Sequence, residues 1–303
     1  MCADLASQWE ARSAASKWTY RLSKLARHPR PVRFVLARAL WHSGLSPQFV
    51  CELPRGFKVR FYPSSISVAL WSNPASRSED EDFVWSVLRE GDRYIDAGAN
   101  IGQLALAAAR RVGERGEVIA IEAHPRIYSY LSGNVDLNPD LRVRTIHAAL
   151  GDRRGEVMFS DRRSDDQNYI DDTGTVKVEM YTLDETVDAA PTRLLKLDEE
   201  GCELAVLRGA SRLLAQTELV YCELSHGNCA RFGYRPEEVE ALLLDAGFVF
   251  IRRDSDGSLS LAREPFFSDL DPEELPASGY NLVAVKPAVA DEIQQLLRAQ
   301  AWC

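Results

Sequence analysis

The chain has no C-x-x-C pair and no repeated cysteine spacing: Cys2, Cys51, Cys202, Cys222, Cys229 and Cys303 lie scattered through 303 residues. That excludes a disulfide framework or a zinc knuckle and suits a reducing, cytoplasmic setting. Apolar runs never approach the roughly 18 residues that would suggest a membrane span. The first twenty residues are interrupted by Asp4, Glu10, Arg12 and Lys17, so no secretory h-region is expected. Internal repeats are missing, which excludes solenoids and propellers. G-x-G-x-x-G and G-x-x-x-x-G-K-[ST] are both absent, so neither the dinucleotide fingerprint nor a nucleoside triphosphate cradle is present. Acid is lacking in one stretch: Ala11 to Cys51 holds eight Lys or Arg and no Asp or Glu. From Glu52 onward 28 bases face 43 acids, a net of -15. An acidic body with a basic head argues against a nucleic-acid binder.

What is present suits a folded α/β protein, since 46% hydrophobic and 27% charged residues allow a sizeable core. Residues 16–28 place Trp18, Leu22 and Leu25 at helical spacing beside Lys17, Arg21, Lys24 and His28, an amphipathic basic helix that Pro29 and Pro31 end. Residues 32–41 read as a second helix. Together they form an extension over 1–55, whose residues 16–41 suit either peripheral contact with an anionic membrane or packing on the acidic body. Residues 56–90 read as a β-hairpin, from strands 57–62 and 66–71, followed by a lead-in helix. Over 91–288 strands and helices alternate: strand 94–95, helix 101–112, strand 118–121, helix 127–137 and strand 143–149. The order returns as strand 194–197, helix 203–214, strand 219–223, helix 236–246 and strand 248–251, with a last strand at 281–285. Such βαβ units predict a mostly parallel seven-stranded sheet with helices on both faces. Residues 155–160 and 175–183 read as β segments that carry the polar loop 161–174, a possible lid. A C-terminal helix fills 289–303.

The chemistry begins at Asp96-Ala-Gly98-Ala-Asn100-Ile-Gly102, which follows the first core strand and opens a helix. That is where α/β sheets bind ligands beyond their strand ends. Gly98 permits a tight turn and Gly102 is read as allowing close approach of backbone to ligand. The strand ending at Glu122 places an acid where it can accept both hydroxyls of a ribose. A glycine turn and a ribose acid without a pyrophosphate cradle point to S-adenosylmethionine, with Asp96 toward its ammonium and the Gly98 backbone toward its carboxylate. His124 is expected to pack near the ribose.

On these residues the chain from about Phe57 to Lys286 resembles the FkbM family of S-adenosylmethionine-dependent methyltransferases. Also matching are Glu122-Ala-His-Pro125, Ala149-Leu-Gly-Asp152, Thr182-Leu-Asp184, Lys196-Leu-Asp-Glu-Glu-Gly-Cys-Glu203 and Val206-Leu-Arg-Gly-Ala210. The resemblance implies a class I methyltransferase (Rossmann-like) fold and O-methylation of a hydroxyl on a sugar, glycolipid or polyketide-like product. Asp96, Gly98, Asn100, Gly102, Glu122, Ala149 and Asp152 are the expected cofactor residues. Glu199, Cys202 and Ala123 depart from the residues common in the family, and these departures bear on the acceptor pocket.

Methyl transfer requires alignment of the acceptor and removal of its proton. Asp198, Glu200, Glu223 and His226 are the expected catalytic residues. Carboxylates gathered there would raise one another's pKa and supply a base, or would hold a divalent cation. Glu203, opening a helix, suits a structural role. A reading from another class remains: a non-catalytic adenosyl-binding scaffold acting through the basic extension.

Overall fold

A computed structural model describes residues 29–76, 78–161, 168–171, 173–254, 256–267 and 279–299. The chain enters through helix α1 (Pro31–Ser43), closed by the left-handed Gly44, and then strands β1 (Val50–Glu52) and β2 (Lys58–Arg60). Helices α2 (Ser65–Ser72) and α3 (Ser78–Val87) lead into the core. There β3 (Arg93–Ala97), α4 (Gln103–Val112), β4 (Glu117–Glu122), α5 (Pro125–Asp136) and β5 (Arg144–His147) alternate as expected. A side sheet follows, made of β6 (Ala149–Leu150), β7 (Gly155–Phe159) and β8 (Val176–Tyr181), then the short α6 (Leu183–Thr186). The alternation resumes with β9 (Thr192–Leu197), α7 (Glu203–Arg208), α8 (Ser211–Leu214), β10 (Thr217–Leu224), α9 (His226–Arg231), α10 (Pro236–Asp245) and β11 (Val249–Arg253). The chain closes through β12 (Leu259–Ala262), β13 (Tyr280–Val285) and α11 (Ala290–Ala299).

Among the described residues the main sheet has eight strands in the order β12-β11-β13-β10-β9-β3-β4-β5. Seven were expected, and the eighth is β12, a hairpin partner added outside β11. Strands β5, β4, β3, β9 and β10 are mutually parallel, and β13 inserts antiparallel between β10 and β11. Two apolar layers cover the faces. One packs Ala105, Leu106, Leu131, Val84 and Ile293 from α4, α5, α3 and α11; the other packs Leu204, Leu207, Leu213 and Leu243 from α7, α8 and α10. The central strands β3 and β9 are buried along their whole length, their polar residues Arg93, Asp96, Arg193 and Lys196 included.

The β-hairpin forms in a different place from that expected. Residues 66–71 are not its second strand: they lie in α2, and β2 pairs instead with β1, Cys51 opposite Val59. Ser64 explains the change, because its hydroxyl accepts from the Ser67 amide and caps the helix at the point where a turn was read. The other edge of β2 is held by α5 and the residues just after it. The Lys58 amide donates to Asn138 Oδ1 at 2.8 Å and the Arg60 amide to Asn134 Oδ1 at 2.8 Å. The side hairpin β7–β8 forms as expected, Val157 opposite Val178. The helix expected at 16–28 and half of the 161–174 loop, residues 162–167 and 172, lie outside the described residues.

Candidate functional site

The chain goes from β3 to β4 and β5 on one side of the sheet and to β9 and β10 on the other, so the switch in strand order lies between β3 and β9. Open α/β sheets bind ligands at that point, beyond the carboxyl ends of the strands. Here a cavity of about 420 Å³ opens there, within the range of small-molecule sites. Asp96, Gly98, Asn100, Glu122, Asp198, Glu200 and Glu223 all line it.

Its β3–β4 end is built from backbone. Glu122 Oε2 accepts from the Asn100 amide at 3.0 Å and Oε1 from the His124 amide at 2.8 Å. Each oxygen keeps lone-pair capacity for a further donor. Burial pushes this carboxyl up to about 7, against the pull of the two amides. Asn100 presents its amide from a left-handed conformation, φ 50°, which its own side chain supports by accepting from the Ile101 amide. Gly98 is left-handed as well, and a β-carbon there would lie 1.9 Å from the Asp198 carbonyl oxygen. The turn therefore has no room for a side chain. His124 is 3% exposed and lies edge-on to Phe159, and burial, helped by the charge of Arg126, lowers its pKa.

At the β9–β10 end the register sets charge against charge. Asp96 and Lys196 are cross-strand partners on β3 and β9, which brings Lys196 Nζ to 3.2 Å from Asp96 Oδ1. The ammonium also reaches Asp198 Oδ2 at 3.4 Å and the Gly98 carbonyl at 3.3 Å. Burial alone would discharge Lys196, but the two carboxylates outweigh it and hold its pKa above the ordinary value. Asp96 is 1% exposed, and neither of its oxygens has an aligned hydrogen-bond donor among the described residues. Burial raises its pKa, with Lys196 opposing.

Beyond Lys196 the turn 198–203 carries Asp198, Glu199 and Glu200 into the cavity. Glu203 holds that turn from beneath. Its Oε1 accepts from the Glu199 and Gly201 amides at 3.1 and 3.0 Å, and its Oε2 from the Tyr234 hydroxyl at 2.9 Å. Glu200 sits at φ 52° and accepts from Asn228 Nδ2 at 2.9 Å. Burial, reinforced by the charge of Asp198, pushes Glu223 up to about 8. Burial together with the charges of Glu122 and Glu203 holds Glu199 well above the usual carboxylate range.

Four expected site residues lie elsewhere. Gly102 does not face the cavity; it is left-handed at the start of α4, and a β-carbon there would stand 2.5 Å from Leu131 Cδ1, so it serves helix packing. Ala149 is buried one layer behind, packed with Ala123 and Phe159. Asp152 is exposed and paired with Arg153. His226 is exposed and edges onto Phe267. No group of three or more His, Cys, Asp or Glu among the described residues could hold a metal ion. The sequence reading assigned no role to Lys196, Phe159, Asn168 or Asn228. Lys196 had a signal: a lysine flanked by Leu194, Leu195 and Leu197 in a buried strand must find a buried partner.

This sheet order, with a carboxylate at the β4 tip and a glycine turn beneath the cavity, defines a class I methyltransferase fold. A family model described as the methyltransferase FkbM domain matches residues 96–250, half of the chain, and the chain belongs to that family of S-adenosylmethionine-dependent methyltransferases. The hexuronic acid methyltransferase AglP of Haloferax volcanii is 26% identical to it over 199 residues, 63% of this chain and 78% of that protein. Similar solved structures include a SAM-dependent O-methyltransferase of Thermotoga maritima. It is 15% identical, with a TM-score of 0.42 over 81% of this chain and 80% of that one. Another is Aeropyrum pernix fibrillarin with natively bound S-adenosyl-L-methionine, 16% identical, with a TM-score of 0.36 over 65% of this chain and 67% of that one.

The residues present fit the adenosyl group. Glu122 retains acceptor capacity on both oxygens for two hydroxyls, and the Gly98 turn presents bare backbone.

Proposed function

We propose that the protein O-methylates a hydroxyl of a sugar or glycolipid, with Glu122 and the Gly98–Asn100 turn holding the cofactor and the Asp198–Glu200–Glu223 wall receiving the acceptor. The observation that carries this reading is the placement of both sets in one cavity, on either side of the Asp96–Lys196 pair. When bound, S-adenosylmethionine supplies an electrophilic methyl group on a sulfonium centre. The acceptor oxygen would form the new bond to that carbon as the carbon–sulfur bond breaks with its electron pair left on sulfur, S-adenosylhomocysteine leaving, and the oxygen would give up its proton. Glu223, at about 8, is tuned near neutrality and takes the proton. Asp198, anchored by Lys196, and Glu200, anchored by Asn228, orient the acceptor hydroxyls. His226 is too exposed to be the base, and Lys196 supplies the positive charge that a divalent cation would bring to the Asp96–Asp198 pair. A sugar fits a wall of hydrogen-bond acceptors joined by Ser225 and Asn228, and the relative AglP acts on a hexuronic acid.

We place the protein in the cytoplasm, where its free Cys51, Cys202, Cys222 and Cys229 stay reduced. No helix among the described residues is long and apolar enough to cross a membrane. The test supplies S-adenosylmethionine with a labelled methyl group to extracts fractionated into free glycans and glycolipids. Wild type should label one fraction, and the double variant Asp198→Asn/Glu200→Gln should label neither while binding S-adenosylhomocysteine normally. Equal labelling by both proteins would overturn the assignment, and label entering protein alone would overturn the acceptor class.

A further inference from the structure

We propose that α1 is a membrane-docking helix that lays an aliphatic stripe on an anionic lipid surface. The helix is apolar on two sides. Its inner face buries Ala37 and Trp41, with Phe34, against Phe61, Val68 and Trp71. The other side should be polar in a surface helix, yet it shows Val32, Val35 and Leu36 at 72%, 49% and 51% exposure, with exposed Ala39 completing the i, i+3, i+4, i+7 spacing. Leu45, Phe49 and Val50 extend the exposed apolar surface just past the helix.

Charge selects the occupant. Arg38 and His42 are exposed beside the stripe, and no acid interrupts residues 11–51. An aliphatic stripe bordered by cations and free of carboxylates is the pattern of an interfacial helix on anionic lipid. A second copy is a poorer occupant, because a self-paired stripe would set the cations Arg38 and His42 of one copy close to those of the other. Docking would act near the site, since α1 packs on α2, whose Ile66 lines the cavity. The docking inference stands apart from the acceptor assignment; only its use for a lipid-linked acceptor rests on that assignment.

The experiment sediments the full-length protein with vesicles of phosphatidylcholine alone and of phosphatidylcholine with phosphatidylglycerol, at low and high salt. The triple variant Val32→Ser/Val35→Ser/Leu36→Ser runs in parallel, with melting temperature and size-exclusion volume recorded. Wild type should bind anionic vesicles roughly tenfold better than neutral ones and release in high salt. The serine variant should lose that binding with melting temperature and elution unchanged. Three results would overturn the inference: no binding of wild type to anionic vesicles at low salt, equal binding by the serine variant, or a serine variant that melts lower. The last would mean that the stripe is covered by the protein's own chain. A wild-type dimer that the serine variant dissolves would assign the stripe to self-association and overturn it as well.

Discussion

The two ends of the cavity are built by different means. At the β3–β4 end, Glu122 is held by two backbone amides, and a glycine turn sits so close to Asp198 that no side chain fits. At the β9–β10 end, Asp198, Glu199, Glu200 and Glu223 crowd together with Lys196 as the nearby cation, and two of them titrate far above the usual range. Backbone amides offset part of the burial cost of Glu122, whereas the gathered carboxylates add mutual repulsion to theirs. The difference suits a fixed cofactor at one end and proton traffic at the other.

The strongest way to break the comparison is at the turn. Gly98→Val should abolish cofactor binding and lower folding stability by more than about 2 kcal/mol, from backbone strain and collision with the Asp198 carbonyl. Denaturant unfolding with calorimetry checks it, and a variant that binds normally would show the turn to be slack. Next comes Asp198→Asn/Glu200→Gln, which should cut turnover by about 100-fold or more at unchanged cofactor affinity. A parallel loss of affinity would merge the two ends into one.

The buried carboxyl at each end should also show itself in stability. Glu122 at about 7 and Glu223 at about 8 both lie above the 4.5 of the unfolded chain, so the folded state binds their protons more tightly. Their contribution is complete below pH 4.5 and is lost as pH rises through 7 and 8. Glu223→Gln should therefore melt roughly 5 to 10 °C above wild type near pH 9 and match it near pH 4. A difference independent of pH would remove Glu223 from the titrating set. The smallest effect belongs to His226→Ala, which should change turnover and stability by under about 0.5 kcal/mol, because the ring is exposed and outside the cavity.

The same contrast explains what could be read from the sequence. The placement of Asp96 to Asn100 and Glu122 was legible because they stand at the carboxyl ends of strands, where local backbone alone sets their position. Lys196 was quoted as part of a motif without a role, since its partner Asp96 is a hundred residues away and becomes a neighbour only through strand register. Gly102 was credited to the ligand because a glycine's sequence context cannot say whether ligand or Leu131 crowds it. Residues 66–71 read as a strand because alternating Ile, Val and Leu suit both periods; the Ser64 cap decided the matter. His226 lost its place because α9 begins there and its ring turns out to solvent against Phe267.

The central claim is that Glu122 holds the ribose of the cofactor apart from the acceptor wall. Calorimetric titration of S-adenosylhomocysteine into wild type, Glu122→Ala and Glu223→Gln tests it directly. Loss of a hydrogen bond to a charged group should cost Glu122→Ala about 1.5 to 3 kcal/mol, roughly 10- to 150-fold in Kd, while Glu223→Gln binds like wild type. Unchanged affinity in Glu122→Ala, or an equal loss in Glu223→Gln, would contradict the account.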